Sequence, residues 1–357
     1  MSSNIKTPAI SHNEADRALY RVAIVGAGSL KGKEVAEVLG DRNFPAVDVK
    51  LLDDDEAIGQ LEALRDEVTF VQNVRNEQFE NIDFAFFASD PESTRKTWNT
   101  ARRAGSAIVD LSFALEDEPE AGVRSPWVER QLGQGLRPEL QPAPAVIAHP
   151  AAVVLALLLL RVRKAAPIHR VVCTVLEPAS EHGQKGMDEL HEQTVNLLSF
   201  QQLPKNIFDT QVAFNLVSRY GPHASPSLAS IESRILKHYR RIVPDHTPIP
   251  SLTLVQAPIF HGHAFSIHVH LEQVADISVI LEALAGEHVT ATRQADDAPS
   301  NVNAAGQGDI MVSVTPDVND SNSFWMWAAS DNLRVAAATA VECAETIAAT
   351  RPRGKIQ

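Results

Sequence analysis

Apolar and polar positions follow two textures along the chain. Val22-Ala23-Ile24-Val25 is an unbroken apolar run, as in a strand buried on both faces of a parallel sheet. Helical spacing follows over Lys33 to Leu39, then a second strand over Val47 to Leu52 and two more over Ile82 to Phe87 and Ala107 to Leu111. The polar stretch Glu92 to Arg103 suits a crossover helix between the last two. Strands alternating with helices predict a doubly wound α/β domain of Rossmann-like type. Three prolines between Leu136 and Pro144 interrupt the pattern, and the texture changes after them. Arg170 to Glu177 is a β-rich run, and Gly186 to Leu198 has the spacing of an amphipathic helix. Ser251 to Phe260 and Ala264 to Leu271 read as strands separated by His261-Gly262-His263. Ile310 to Val314 is another strand, and Asn332 to Thr350 an alanine-rich helix. This mixture predicts an α+β second domain. The expected layout is a loose tail over 1–20, a nucleotide-binding-like domain over 21–146 completed by the helix 331–350, and a second domain over 147–330.

A chain of 357 residues fits two domains. Its longest apolar run, Ala151 to Leu160, has ten residues, where a membrane span needs about 20. The polar first twenty residues lack a signal-peptide core. A formal net charge of −13 gives no reason to expect nucleic acid or an anionic membrane as partner. Two cysteines, Cys173 and Cys343, exclude a disulfide framework and a cysteine-rich zinc module. A cytoplasmic, reducing location is expected.

Gly26-x-Gly28-x-x-x-Gly32 lies between the first predicted strand and helix. Glycines there permit a tight turn, and a helix N-terminus attracts a pyrophosphate. Asp53, ending the second strand, is placed to accept hydrogen bonds from an adenosine ribose. The carboxylates Asp53 to Glu56 would repel a 2′-phosphate, so NAD is expected over NADP if a dinucleotide binds. A glycine turn that merely closes a βα unit, with no cofactor, stays open beside that reading. His261, His263, His268 and His270 fall within ten residues. Strand alternation puts the first pair and the second pair on opposite faces, against a single metal site. No metal is expected.

The order of several longer motifs resembles the aspartate-semialdehyde dehydrogenase family from about Arg21 to Ile347. They are Arg42-Asn43-Phe44-Pro45, Lys185-Gly186-Met187-Asp188-Glu189-Leu190, Gln211-Val212-Ala213-Phe214-Asn215, Pro258-Ile259-Phe260-His261-Gly262-His263 and Ala329-Ser330-Asp331-Asn332-Leu333-Arg334. The resemblance implies a homodimer formed through the second domain, which would also carry the substrate site. It implies dinucleotide contacts from Gly26, Gly28, Ser29, Leu30, Gly32, Asp53 and Asn332. The family reduces an acyl phosphate through a thioester, with a cysteine nucleophile, an acid/base histidine and anion-binding arginines.

Here the resemblance breaks residue by residue. The cysteine position is Ala152, in His149-Pro150-Ala151-Ala152-Val153. The substrate-positioning glutamine falls at Glu177. The carboxylate-binding arginine, seven residues before the histidine, is Gln256, and the arginine near the phosphate is Glu116. Only the acid/base histidine remains, as His263. Glu116 and Glu177 are expected to repel an anionic substrate. Cys173, in an apolar strand, Cys343, on the last helix, and Ser180 beside His182 offer no convincing substitute nucleophile. The chain is similar to the Usg-type branch, relatives with degraded active sites. The expected role is a structural or regulatory dimer, including pairing with the true dehydrogenase. The alternative is an NAD-dependent oxidoreductase acting on another carbonyl, with His263 as acid/base.

Overall fold

In a computed structural model, described for residues 19–53, 59, 61–64, 67–134, 142–293 and 298–350, the chain builds two large sheets and one of two strands. The first part holds β1 (Tyr20–Val25), α1 (Leu30–Asp41), β2 (Ala46–Asp53), β3 (Leu61–Leu64), β4 (Glu67–Phe70) and β5 (Gln72–Asn73). It continues through β6 (Phe84–Phe87), α2 (Pro91–Arg103), β7 (Ala107–Asp110), β8 (Gly122–Arg124), α3 (Pro126–Gln131) and β9 (Ala145–Ile147). Seven strands pair in the order β5-β2-β1-β6-β7-β9-β8, every neighbour parallel. β1 and β6 are buried along both faces, which explains their unbroken apolar sequence. The expected Rossmann-like sheet is present.

The second part runs through α4 (Pro150–Ala165), β10 (Ile168–Glu177), α5 (Gly183–Leu198), α6 (Leu228–Ile242), β11 (Ser251–Gln256) and β12 (His263–Leu271). It ends with α7 (Ile277–Leu284), β13 (Val289–Arg293), α8 (Asn301–Ala304), β14 (Ile310–Pro316), β15 (Ser323–Ser330) and α9 (Asn332–Thr350). Its sheet has the order β11-β10-β12-β15-β14-β13 and mixes parallel and antiparallel pairs. This is the expected α+β architecture. The expected strand 251–260 stops at Gln256, where the chain turns toward the site.

The run Ala151 to Leu160 belongs to α4, which is buried on every side from Pro150 to Val162. A helix without a polar face must lie in a core, and α4 joins the two parts of the molecule there. No described helix is long and apolar enough to cross a membrane. α9 returns to pack against α1. Asp331 caps its first turn by accepting from Leu333 N and Arg334 N at 2.9 and 3.0 Å. The Arg334 guanidinium then meets Glu34 at 2.9 Å, Glu37 at 3.1 Å and Asp41 on α1.

The second sheet is one-sided. On β10, β12 and β15 the side chains of Val171, Cys173, Phe265, Ile267, Phe324 and Met326 are buried. Val172, Trp325 and Trp327 on the other face are exposed, aligned through the register Val172↔His268↔Trp325.

Candidate functional site

The glycine turn is built by backbone packing. Gly26 has φ +83°, and a Cβ there would lie 2.3 Å from Ser89 N. A Cβ on Gly32 would lie 2.1 Å from Gly26 O. Both positions therefore exclude a side chain whether or not a ligand binds. Ser29 caps α1, its Oγ accepting from Gly32 N at 2.9 Å and donating to Ala88 O at 2.9 Å. The first turn of α1 carries no acidic residue, so the helix end suits an anion. Ser29 and Leu30, at the helix head, are the residues that would meet a dinucleotide's phosphates there. Asp53 does something the sequence did not reveal. Its Oδ2 accepts from Gly28 N at 2.7 Å, bracing the turn from the end of β2. That oxygen is engaged inside the protein, which corrects the expectation of a carboxylate wholly available to a ribose. Asp54, Asp55 and Glu56, which carried the argument against NADP, lie outside the described residues, as does most of the expected tail.

The β9–α4 junction presents the second half of the site. His149 caps α4, its Nδ1 accepting from Ala151 N at 3.2 Å. Ala152 follows in the first turn, fully buried. A nucleophile here would lie at a helix N-terminus that favours a thiolate, but the side chain is a methyl. Since Nδ1 of His149 accepts, its proton sits on Nε2, directed toward Glu181 Oε2 at 3.9 Å. Burial keeps this imidazole neutral by pushing its pKa well down.

Beyond His149, β12 starts with His263 and β10 ends with Glu177, so adjacent strands place both groups side by side. His263 Nε2 and Glu177 Oε2 are 3.0 Å apart and both residues are completely buried. Burial alone would lower the His263 pKa, but the bond and charge of Glu177 outweigh it and raise it. Burial raises the Glu177 carboxyl. Glu181 Oε1 lies 3.9 Å from the same Nε2. Burial would raise the Glu181 carboxyl too, yet its charged neighbours, the Lys31 ammonium first, hold it at about 2. Glu177 is therefore matched by a histidine, which corrects its expected part as a repulsive charge facing substrate. His263 Nδ1 and Glu177 Oε1 have no hydrogen-bond partner among the described residues.

Glu116 is likewise compensated. Arg234 on α6 grips it through Nε at 3.1 Å and Nη2 at 2.9 Å. Lys237 approaches to 3.6 Å. His238 Nδ1 accepts from His149 N at 3.0 Å, which leaves the proton on Nε2 to meet Glu116 Oε2 at 3.0 Å. Burial would raise the Glu116 carboxyl, but His238 and Arg234 lower it to about 2. The expected repulsion of phosphate by Glu116 is thus cancelled at the source, because its carboxylate sits in an ion pair with Arg234. The neighbouring loop is fixed by Asp110, which accepts from Ser112 N at 2.8 Å and Leu115 N at 2.9 Å. It holds Phe113 at φ +63°, a strained backbone for an aromatic residue. Lys31 Nζ is 4.7 Å and Arg234 Cζ 5.1 Å from the centre of the Phe113 ring, and His149 stacks on it at 5.6 Å. The ring therefore lies against two cations. Neither Phe113 nor the α6 residues attracted notice in the sequence, because nothing local marks them.

The other expected residues are accounted for by internal bonds. Gln256 accepts from Tyr220 OH at 2.6 Å and donates to Glu177 O at 3.0 Å and Ala257 O at 2.8 Å, so its amide is fully engaged. Asn332 Oδ1 accepts from Ser180 Oγ and Gly262 N, and its Nδ2 donates to Glu181 Oε1 at 2.9 Å. It ties α9 to the buried cluster. His182 bonds Tyr220, not Ser180, and burial lowers its pKa to about 4. Burial pushes the Cys343 thiol up to about 11 and the Cys173 thiol higher still. His268 and His270 point to the outward face of the second sheet, beside Asp317 and Asp320.

Residues 21–147 match the family described as "Semialdehyde dehydrogenase, NAD binding domain", and residues 159–335 match "Semialdehyde dehydrogenase, dimerisation domain". The aspartate-semialdehyde dehydrogenase of Rickettsia bellii is 30% identical over 343 residues, 93% of this chain and 98% of that protein. A "USG-1 protein homolog" of Azotobacter vinelandii is 30% identical over 331 residues, 91% of this chain and 97% of that protein. Among solved structures, a probable aspartate-semialdehyde dehydrogenase from Pseudomonas aeruginosa superposes with a TM-score of 0.82 at 28% identity, covering 92% of this chain and 98% of that one.

Proposed function

Since the chain belongs to the semialdehyde dehydrogenase family, we propose that it is a non-catalytic, homodimeric relative of aspartate-semialdehyde dehydrogenase that acts through its surfaces. The observation that carries this reading is Ala152. The first turn of α4 offers a methyl group where covalent chemistry needs a thiolate, and both cysteines are buried with raised pKa values. The ring of Phe113, the ion-paired Glu116 and the fully bonded Gln256 support it, since each removes an anion contact that the acyl phosphate would need. The exposed face of the second sheet, with Val172, Trp325 and Trp327, is the dimer surface in this reading.

The test is an assay of the purified chain for phosphorylating oxidation of aspartate semialdehyde, with NAD or NADP and inorganic phosphate. No turnover above background is expected, and a dimer is expected by analytical ultracentrifugation. Steady turnover would overturn the reading. Ala152→Cys alone should stay inactive, because Glu116, Glu177 and Gln256 keep their internal partners; substantial recovery would show that these positions do not matter. Expression mixed with an active dehydrogenase separates strict homodimers from a pairing with that enzyme.

One observation favours a second reading. His263 keeps an orphaned Nδ1 in the interior and a raised pKa beside an intact glycine turn. An oxidoreductase working on an uncharged carbonyl, with His263 as acid/base, would use these groups without a covalent step. A bound nicotinamide would supply the hydride; the chain would supply the proton and the turn. Titration with NAD, NADH and NADP decides: binding of NAD alone favours this second reading, and binding of none removes it.

A further inference from the structure

A cleft of about 600 Å³ opens away from His263, where α3, the end of α4 and the turn from α7 to β13 meet. It lies on the helix-covered side of the second sheet, opposite the exposed face with Trp325 and Trp327. Trp127, Leu157 and Val279 give it apolar wall, and its charged lining has both signs. Some of those charges are already used. Arg130 Nη2 meets Glu342 Oε2 at 2.6 Å and Glu287 Oε1 at 3.2 Å. Arg161 is buried, yet its guanidinium pairs with no carboxylate among the described residues. Its Nη1 donates to Leu284 O at 2.7 Å, Nη2 to Glu287 O at 2.6 Å and Nε to Gln131 Oε1 at 3.3 Å. A guanidinium has five N–H groups, so two remain. Lys164 and Glu282 line the same cleft, are exposed, and form no ion pair among the described residues.

We propose that this cleft binds a free α-amino acid. The carboxylate is taken by Lys164 and the remaining N–H groups of Arg161, the ammonium by Glu282, and an aliphatic side chain by Leu157, Val279 and Trp127. The mixed lining selects this class. Glu282 and Glu287 oppose a phosphate or a dicarboxylate, while Arg161 and Lys164 oppose a simple cation; a zwitterion meets both signs. The volume is in the range of small-molecule sites, about 300–1,000 Å³. Because α3 belongs to the first part of the chain and α7 to the second, an occupant touches both parts and stabilises their packing by mass action.

The proposal is tested by calorimetric titration of the full chain with a panel of free amino acids, including leucine, methionine, lysine and threonine. N-acetyl-leucine and leucinamide, each lacking one charge, serve as controls with inorganic phosphate and succinate. At least one free amino acid should bind, with the singly blocked form of the same side chain weaker by about tenfold or more. Lys164→Glu should weaken it by at least a similar factor, and Glu282→Gln should weaken it through the other charge. Both positions are exposed, so a folded variant is expected, checked by circular dichroism. Absence of binding by every free amino acid at about 10 mM overturns the proposal. So does equal binding of blocked forms or of phosphate, and so does an affinity unchanged in both variants.

Discussion

The glycine turn at the head of α1 and the buried cluster around His149, Glu177 and His263 form two halves of one site, and they are held by different means. In the turn, conformation is set first by backbone meeting backbone, Gly26 against Ser89 and Gly32 against Gly26, with the Asp53 carboxylate bracing Gly28 N. In the cluster, the structure rests on side chains that neutralise one another. Glu116 pairs with Arg234 and His238, Glu177 with His263, and Gln256 with Tyr220 and two carbonyls. A half defined by backbone packing keeps its shape for as long as the protein folds. A half defined by side-chain pairing can exchange its chemistry while every buried charge stays satisfied. A glycine turn of this kind can therefore keep its shape beside a cluster whose side chains differ.

The sharpest way to break this contrast is Gly32→Ala. A Cβ at 2.1 Å from Gly26 O has no room, and the atom it meets is backbone. The variant should lose about 3 kcal/mol or more of stability in a urea titration, with no dinucleotide present. If it unfolds like the parent and loses only NAD binding, the glycines serve the ligand and the comparison fails.

Next in size is Glu116→Arg, which reverses the charge at that position. In this chain the new cation would face Arg234 and Lys237 and leave Arg234 without its carboxylate, while Lys237 keeps Asp117. A loss of about 1–2 kcal/mol is expected, limited by solvent access to the cluster. Unchanged stability would mean that the arginine position and its surroundings have not been rewritten together. Glu116→Gln addresses the same pair by pH. The carboxyl sits at about 2 in the folded chain against an ordinary 4.5. A depressed carboxyl contributes stability above 4.5 that disappears as pH falls toward 2. The parent should therefore lose stability more steeply than Glu116→Gln across that window.

How much of this was legible in the sequence follows the same division. β1, the glycine turn and α9 show in local pattern, because a doubly buried strand must be apolar and a tight turn must be glycine. The α4 helix shows only as an apolar run: buried on all sides, it carries no 3.6-residue period. α6 went unread although its alternation of buried and exposed positions is strong, and with it went the partner of Glu116, 118 positions away. The methyl side chain at the head of α4 could be read at Ala152 itself. That Glu116 and Glu177 are neutralised could not, since compensation lives in contacts between distant segments. Phe113 was silent for a related reason: a strained phenylalanine looks like any other until Lys31 and Arg234 are seen on its ring.

The smallest effect tests the inner pair. Glu177→Gln keeps an acceptor for His263 Nε2 and removes the charge, so packing is kept and the loss below pH 6.5 is limited to the stability that came with the His263 proton. The pH dependence is the informative quantity. In the parent, the raised His263 pKa means that protonated His263 is favoured in the folded chain. Stability from that proton is fully present below the ordinary 6.5 and declines as pH rises through the folded value. Without the Glu177 charge, burial dominates and the folded pKa falls toward or below 6.5, so the decline above 6.5 should flatten. Histidine resonances followed by NMR would report the same shift directly. If His263 titrates at the same pH in parent and variant, Glu181, 3.9 Å from the same nitrogen, is the group that holds its proton. The pairing assigned to Glu177 would then be geometric only, and the inner half of the site would depend on its charges less than the comparison requires.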